Sequence, residues 1–245
     1  VYLNTTEKWS GSSWATTSAL NVVRGSLAGC GDVTNALSFG GYTSNYLNIT
    51  EKWSGSSWAI TSNLNVARYG LAGCGDVTNA LSFGGVTSNY LNTTEKWSGS
   101  SWATTSNLNV ARSSLAGCGD VNNALSFGGY TGGYLNTTEK WSGSSWATTS
   151  NLNVARQGLA GCGDINNALS FGGYTGGYVG TTEKWSGSSW ATTSVLSQFR
   201  GSLAGCGDIN NALSFGGYTD TYVGITEKWS GSSWAITSNL NVARY

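Results

Sequence analysis

An all-β propeller of four-stranded antiparallel blades is the fold that this 245-residue sequence predicts. Three observations carry the prediction. The segment EKWSGSSW recurs six times at a constant step of 44 residues. Between its copies lie short alternating runs punctuated by Gly and Ser, not apolar residues at every third or fourth position. Aromatic residues are plentiful, with 12 Trp, 12 Tyr and 6 Phe, in a chain of which only 10% is charged.

The repeat keeps its phase throughout. The first Trp of the motif falls at Trp9, Trp53, Trp97, Trp141, Trp185 and Trp229, and the second at Trp14, Trp58, Trp102, Trp146, Trp190 and Trp234. Arg24, Arg68, Arg112, Arg156, Arg200 and Arg244 follow the same step, as do Cys30, Cys74, Cys118, Cys162 and Cys206. A period between 20 and 50 residues means a solenoid, an array or a propeller. In one unit, Leu71–Asp76 reads as a first strand of small residues and Ala80–Phe83 as a second, closed by Gly84-Gly85. Tyr90–Trp97 reads as a third strand and Trp102–Thr105 as a fourth. Four such strands make one blade. A lone blade leaves both faces wet, so blades must cover one another, and two Trp per unit supply the covering surface. Small residues in the first strand suit a crowded hub.

The chain is read as one domain, residues 1–245. Residues 1–24 form a half blade of two outer strands, followed by full repeats at 25–68, 69–112, 113–156, 157–200 and 201–244. Six units of 44 would need 264 residues, and 245 falls 19 short, about one inner hairpin. Six blade positions are favoured over five, with the missing hairpin supplied from outside. Self-association through the unfinished blade is one expected consequence. Val1 in place of Met is read as processing or as a longer parent chain.

Composition narrows the function. Twelve basic residues balance twelve acidic ones and no basic run occurs, which disfavours nucleic acid. No apolar run approaches the roughly 18 residues of a membrane span. With no His, neither a Ser-His-Asp nor a Cys-His arrangement can be built. Paired carboxylates remain, but Glu7, Glu51, Glu95, Glu139, Glu183 and Glu227 recur identically, as do Asp32, Asp76, Asp120, Asp164 and Asp208. Catalysis needs unlike neighbours in separate roles. No enzyme activity, cofactor or metal is expected. The five Cys, one per inner strand, read as small buried residues. The sequons at Asn4, Asn48, Asn92 and Asn136 read as by-products of the repeat.

The units differ from one another mainly on one face. After each Arg the residues are Gly25-Ser26, Tyr69-Gly70, Ser113-Ser114, Gln157-Gly158 and Gly201-Ser202. After each Gly pair the loops read YTSN, VTSN, YTGG, YTGG and YTDT. Both sets belong to loops that an antiparallel blade sends to the same side, and loops on a rigid scaffold are where binding residues gather. Candidate ligand groups are Arg24, Arg68, Arg112, Arg156 and Arg200 as donor forks and Tyr42, Tyr69, Tyr130, Tyr174 and Tyr218 as aromatic platforms. Gln157 and the unrepeated Asp220 complete the set. They suit a glycan or a protein segment.

The Gly pairs, the two aromatic residues at fixed spacing and the Arg before each inner strand together resemble the kelch repeat, over the whole chain. Trp stands where that family usually has Tyr. The resemblance implies a propeller with the Gly-rich strand innermost and the Trp strand outermost, six or seven blades, and ligand contact on the loop face at these Arg positions. The copper oxidases on kelch-like propellers need His ligands, so their activity does not carry over. The phrases TEKWSGSSW and ALSFGG are similar to kelch-like surface and virion-associated proteins of marine phages and bacteria. A cell-surface or virion location is therefore expected, with the cytoplasm as the alternative. The expected function is a binding or adhesion module; a purely structural subunit is the alternative, and an intracellular adaptor comes third.

Overall fold

The computed structural model describes residues 2–245. Its first element is a two-stranded hairpin, β1 (Thr6–Trp9) with β2 (Trp14–Thr17). Five four-stranded blades follow. Blade one holds β3 (Ala28–Gly31), β4 (Ala36–Phe39), β5 (Thr50–Trp53) and β6 (Trp58–Thr61). Blade two holds β7 (Ala72–Gly75), β8 (Ala80–Phe83), β9 (Thr94–Trp97) and β10 (Trp102–Thr105). Blade three holds β11 (Ala116–Gly119), β12 (Ala124–Phe127), β13 (Thr138–Trp141) and β14 (Trp146–Thr149). Blade four holds β15 (Ala160–Gly163), β16 (Ala168–Phe171), β17 (Thr182–Trp185) and β18 (Trp190–Thr192). Blade five holds β19 (Ala204–Gly207), β20 (Ala212–Phe215), β21 (Thr226–Trp229) and β22 (Trp234–Ile236). Within each sheet every strand pairs antiparallel with its neighbour in sequence, and the inner strands β3, β7, β11, β15 and β19 succeed one another around the hub. The chain is an all-β propeller with five complete blades.

Turn chemistry sets the strand length. The inner turn is held by its Asp: the Asp76 carboxylate accepts from Thr78 N at 2.7 Å and Asn79 N at 2.9 Å. Such Asx turns copy a backbone turn and stop a strand cleanly. At the other end the third strand is shorter than Tyr90–Trp97. It begins at Thr94, because Tyr90 bridges back to Val86 and Leu91 N donates to Gly85 O at 2.8 Å. Those hydrogen bonds fold the residues after the Gly pair into a compact loop of their own.

Blades are joined by a knob-and-hole contact at the hub. A Cβ built on Gly117 of blade three would lie 2.4 Å from the ring of Phe83 in blade two. Gly73, Gly161 and Gly205 meet Phe39, Phe127 and Phe171 in the same way. Each Phe also packs against the outer Trp of the next blade, Phe83 against Trp146 at 4.9 Å between ring centroids. That Trp closes the outer rim, its Nε1 donating to Thr94 Oγ1 of blade two at 3.0 Å. The inner Trp stays within its blade, with Trp97 Nε1 donating to Val77 O at 3.0 Å. Trp97, Trp141, Trp185 and Trp229 are fully buried. Each supplies a large apolar area, which is why the core lies between sheets and not within one.

The β1–β2 hairpin continues this series beyond blade five. Trp14 Nε1 donates to Thr226 Oγ1 at 2.9 Å, and Trp14 lies 4.8 Å from Phe215. The C-terminal segment docks on the same hairpin, with Asn241 N donating to Glu7 Oε2 at 2.7 Å. A sixth position, between blades five and one, is thus held by an outer hairpin alone.

Around the hub mouth one residue per blade takes a left-handed conformation: Ser26, Gly70, Ser114, Gly158 and Ser202, with φ between 51° and 61°. Each of these after Ser26 donates its N–H to the carbonyl of the one before, Ser114 N to Gly70 O at 2.7 Å and Ser202 N to Gly158 O at 2.7 Å.

Replacing Gly117 with Ala overfills the joint with Phe83. A stability loss of about 1–3 kcal/mol is expected from urea unfolding. An unchanged midpoint would show that the joint is loose.

Candidate functional site

The loops after the second and fourth strands of each blade meet on one face through short backbone bridges. Ser113 pairs with Tyr130, which pairs with Tyr134; Gln157 pairs with Tyr174, which pairs with Tyr178. The same pattern joins Gly201, Tyr218 and Tyr222. A Tyr directly after the Gly pair and another four residues later are therefore brought ring to ring. Tyr174 and Tyr178 lie 5.2 Å apart, and Tyr134 reaches Tyr174 of the next blade at 6.0 Å. All twelve tyrosines of the chain stand on this face. An unbroken succession of contacts runs from Tyr90 to Tyr245. Val86 takes the Tyr position in blade two.

Within this aromatic arc, a cleft of about 260 Å³ opens between Gln157, Tyr174, Tyr178 and Tyr218, floored by Ser114, Gly158, Gly201 and Ser202. Reduced hydration, then the neighbouring Tyr218, Asp220 and Tyr174, push the Tyr178 phenol above its ordinary pKa. Burial and three neighbouring phenols do the same to Tyr69. Both hydroxyls therefore stay protonated at neutral pH and can both donate and accept hydrogen bonds. Asp220 is exposed at the tip of its loop.

The structure brings the expected Tyr42, Tyr69, Tyr130, Tyr174, Tyr218 and Gln157 to this face, each half-buried. Tyr2, Tyr46, Tyr90, Tyr134, Tyr178, Tyr222 and Tyr245 belong there too and were not among the sequence candidates. For Tyr46, Tyr134, Tyr178 and Tyr222 a signal existed in the four-residue spacing from the first loop Tyr.

The arginines require a correction. Arg68, Arg112, Arg156 and Arg200 are fully buried and Arg24 is nearly so. Each guanidinium is committed to a Glu of the following blade, for example Arg68 to Glu95 at 3.1 Å and Arg156 to Glu183 at 3.2 Å. Backbone and hydroxyl acceptors take further donors, as where Arg156 reaches Ser170 Oγ at 2.9 Å. The carboxylate is saturated from the other side. Glu183 also accepts from Asn153 N at 2.6 Å, Asn153 Nδ2 at 2.8 Å and Val154 N at 3.3 Å. Burial lowers Arg68 and Arg156 to a pKa of about 10, partly offset by the facing carboxylates, so both guanidinium groups stay charged at neutral pH. A guanidinium sealed inside an interblade joint cannot reach a ligand: even the Nε of Arg24, Arg68, Arg156 and Arg200, which has no partner, is buried away from the face.

The cysteines sit on the inner strands as free thiols. Burial pushes Cys30 up to about 12 and Cys74 well above the usual thiol range. Among the described residues no group of three or more His, Cys, Asp or Glu side chains is placed to hold a metal ion. No helix is long and apolar enough to cross a membrane. The sequon residue Asn48 turns its amide inward, donating to Leu64 O at 3.1 Å.

No family model matches the chain, and no curated protein matches it.

Two outcomes follow from these placements. Arg156→Ala strands the buried Glu183 charge, so unfolding free energy should fall by about 3–5 kcal/mol, measured by denaturant titration. A loss of ligand affinity at unchanged stability would instead return Arg156 to the binding face. In native protein at pH 8, iodoacetamide should label the exposed Cys206 first, and buried Cys74, Cys118 and Cys162 only on unfolding. Peptide mass mapping reads the order.

Proposed function

We propose that this propeller is a non-enzymatic binding module of the kelch type, and that it receives a glycan or a protein segment on the tyrosine face around its central opening. The observation that supports this reading is the gathering of all twelve tyrosines on one face, around a cleft edged by Gln157 and near the exposed Asp220.

Phenol rings offer flat apolar surface at low entropic cost, and their hydroxyls orient a polar partner. Sugar rings present just such a combination, with C–H faces to stack on Tyr174 and Tyr178 and hydroxyls to meet Gln157 and the exposed Ser202 side chain. An extended protein segment would use the same groups. The rigid hub beneath keeps the rings arranged before the ligand arrives, so little ordering is needed on binding. A surface or virion location accords with this use.

A glycan and peptide array followed by calorimetry on the hits tests the proposal. Tyr174→Ala and Tyr178→Ala should each weaken binding roughly tenfold or more. Both side chains are partly exposed, so thermal unfolding should stay close to that of the parent. Absence of any hit, or hits indifferent to both substitutions, would leave a structural subunit as the reading.

A further inference from the structure

Residues 2–245 contain six outer hairpins but five inner ones, and the sixth position carries β1 and β2 only. A cavity of about 870 Å³ joins the hub to this position and is walled by β1, β3 and blade five. Its walls repeat, one element at a time, the surfaces that elsewhere hold an inner hairpin.

Four unmet partners define what fits. Phe215 projects from blade five, yet no glycine receives it as Gly73, Gly117, Gly161 and Gly205 receive the other Phe rings. Across the gap, Gly29 has no Phe against it and is exposed. Trp58 is, among the described residues, the one outer Trp with no Phe packed on it, whereas Trp14, Trp102, Trp146, Trp190 and Trp234 each have one. Trp9 is half-buried, and among the described residues its Nε1 lacks the turn carbonyl that Val33, Val77, Val121, Ile165 and Ile209 give the other inner Trp.

The backbone is open in the same place. β1 pairs with β2 along one edge and presents its other edge, which in blade three is occupied by β12. The hub-mouth chain of left-handed residues stops at Ser202 O on one side and Ser26 N on the other, with neither group paired among the described residues. The inner strands that flank the gap, β3 and β19, are more exposed than β7, β11 and β15.

We propose that this gap is a docking site for one β-hairpin of the repeat's own inner sequence. The hairpin adds to the free edge of β1. Its inner-strand glycine receives Phe215, and its second-strand Phe fills the hole at Gly29 and packs on Trp58. Its left-handed residue donates to Ser202 O and accepts from Ser26 N. A second copy of residues 2–245 is a poor source, because its five inner hairpins are already engaged and releasing one opens an equal gap.

The test uses the whole chain and a synthetic peptide copying Ser113–Tyr130, with Cys118→Ser so that only the protein carries thiols. The peptide should bind with one-to-one stoichiometry by calorimetry, raise the unfolding temperature, and slow alkylation of Cys206 about tenfold or more. A peptide with Phe127→Ala, which removes the ring meant for Gly29 and Trp58, should bind at least about tenfold more weakly. The proposal is overturned if the parent peptide binds no better than a scrambled one, if it binds without shielding Cys206, or if the Phe127→Ala peptide binds equally well. Concentration-dependent dimerisation of the chain that shields Cys206 without added peptide would also overturn it, by assigning the gap to a second copy.

Discussion

The joint between consecutive blades is the interaction on which the rest of this structure depends. At its centre is a buried Glu that accepts from the Arg, the Asn and the backbone of the segment leaving the previous blade. An isolated buried carboxylate is costly, and an isolated guanidinium is no better. Paired with each other, with the Asn and two backbone N–H groups also donating to the carboxylate, they fix how far and at what angle one sheet stands from the next. Apolar area alone would not do that, since hydrophobic contact has no direction. The same joint links Arg244 to Glu7 across nearly the whole sequence, so the two ends of the chain are held by the device that holds its middle.

Given that spacing, the hub can be narrow. Glycine on each inner strand lets the neighbouring Phe reach in, and Phe then supports the outer Trp of the following blade. Polar joint, hub contact and outer rim are thus three layers of one interface. Because every interface is alike, a defect in one position has no effect on the pattern of the others, and the incomplete sixth position stands out against five satisfied copies.

The loop face follows from the scaffold and is chemically separate from it. Tyrosine is excluded from the interblade core and confined to the loops, while Trp and Phe fill the core. A phenol hydroxyl buried there would need a partner that the repeat does not supply. The outcome is a wet aromatic surface resting on a dry aromatic core. That division allows the loops to differ between blades at no cost to packing.

The 44-residue step, the turn residues and the two Trp per unit made the propeller legible, and the Gly-rich inner strand was placed correctly from its small residues. These are local or periodic features, and local rules suffice for them. The loop face was legible as well, from where the copies differ. The arginines were not. A recurrent Arg looks the same in sequence whether it points to solvent or into a joint, and its Glu lies 27 residues further on, in the next blade. Only the distance between two sheets decides that the pair is buried. Likewise, a Tyr four residues after another is unremarkable until the Gly pair turns the chain back on itself. Composition and period therefore determined the kind of fold and its repeating parts. Tertiary packing decided which polar groups were consumed in holding it together and which were left free at the surface, because burial depends on neighbours distant in the chain.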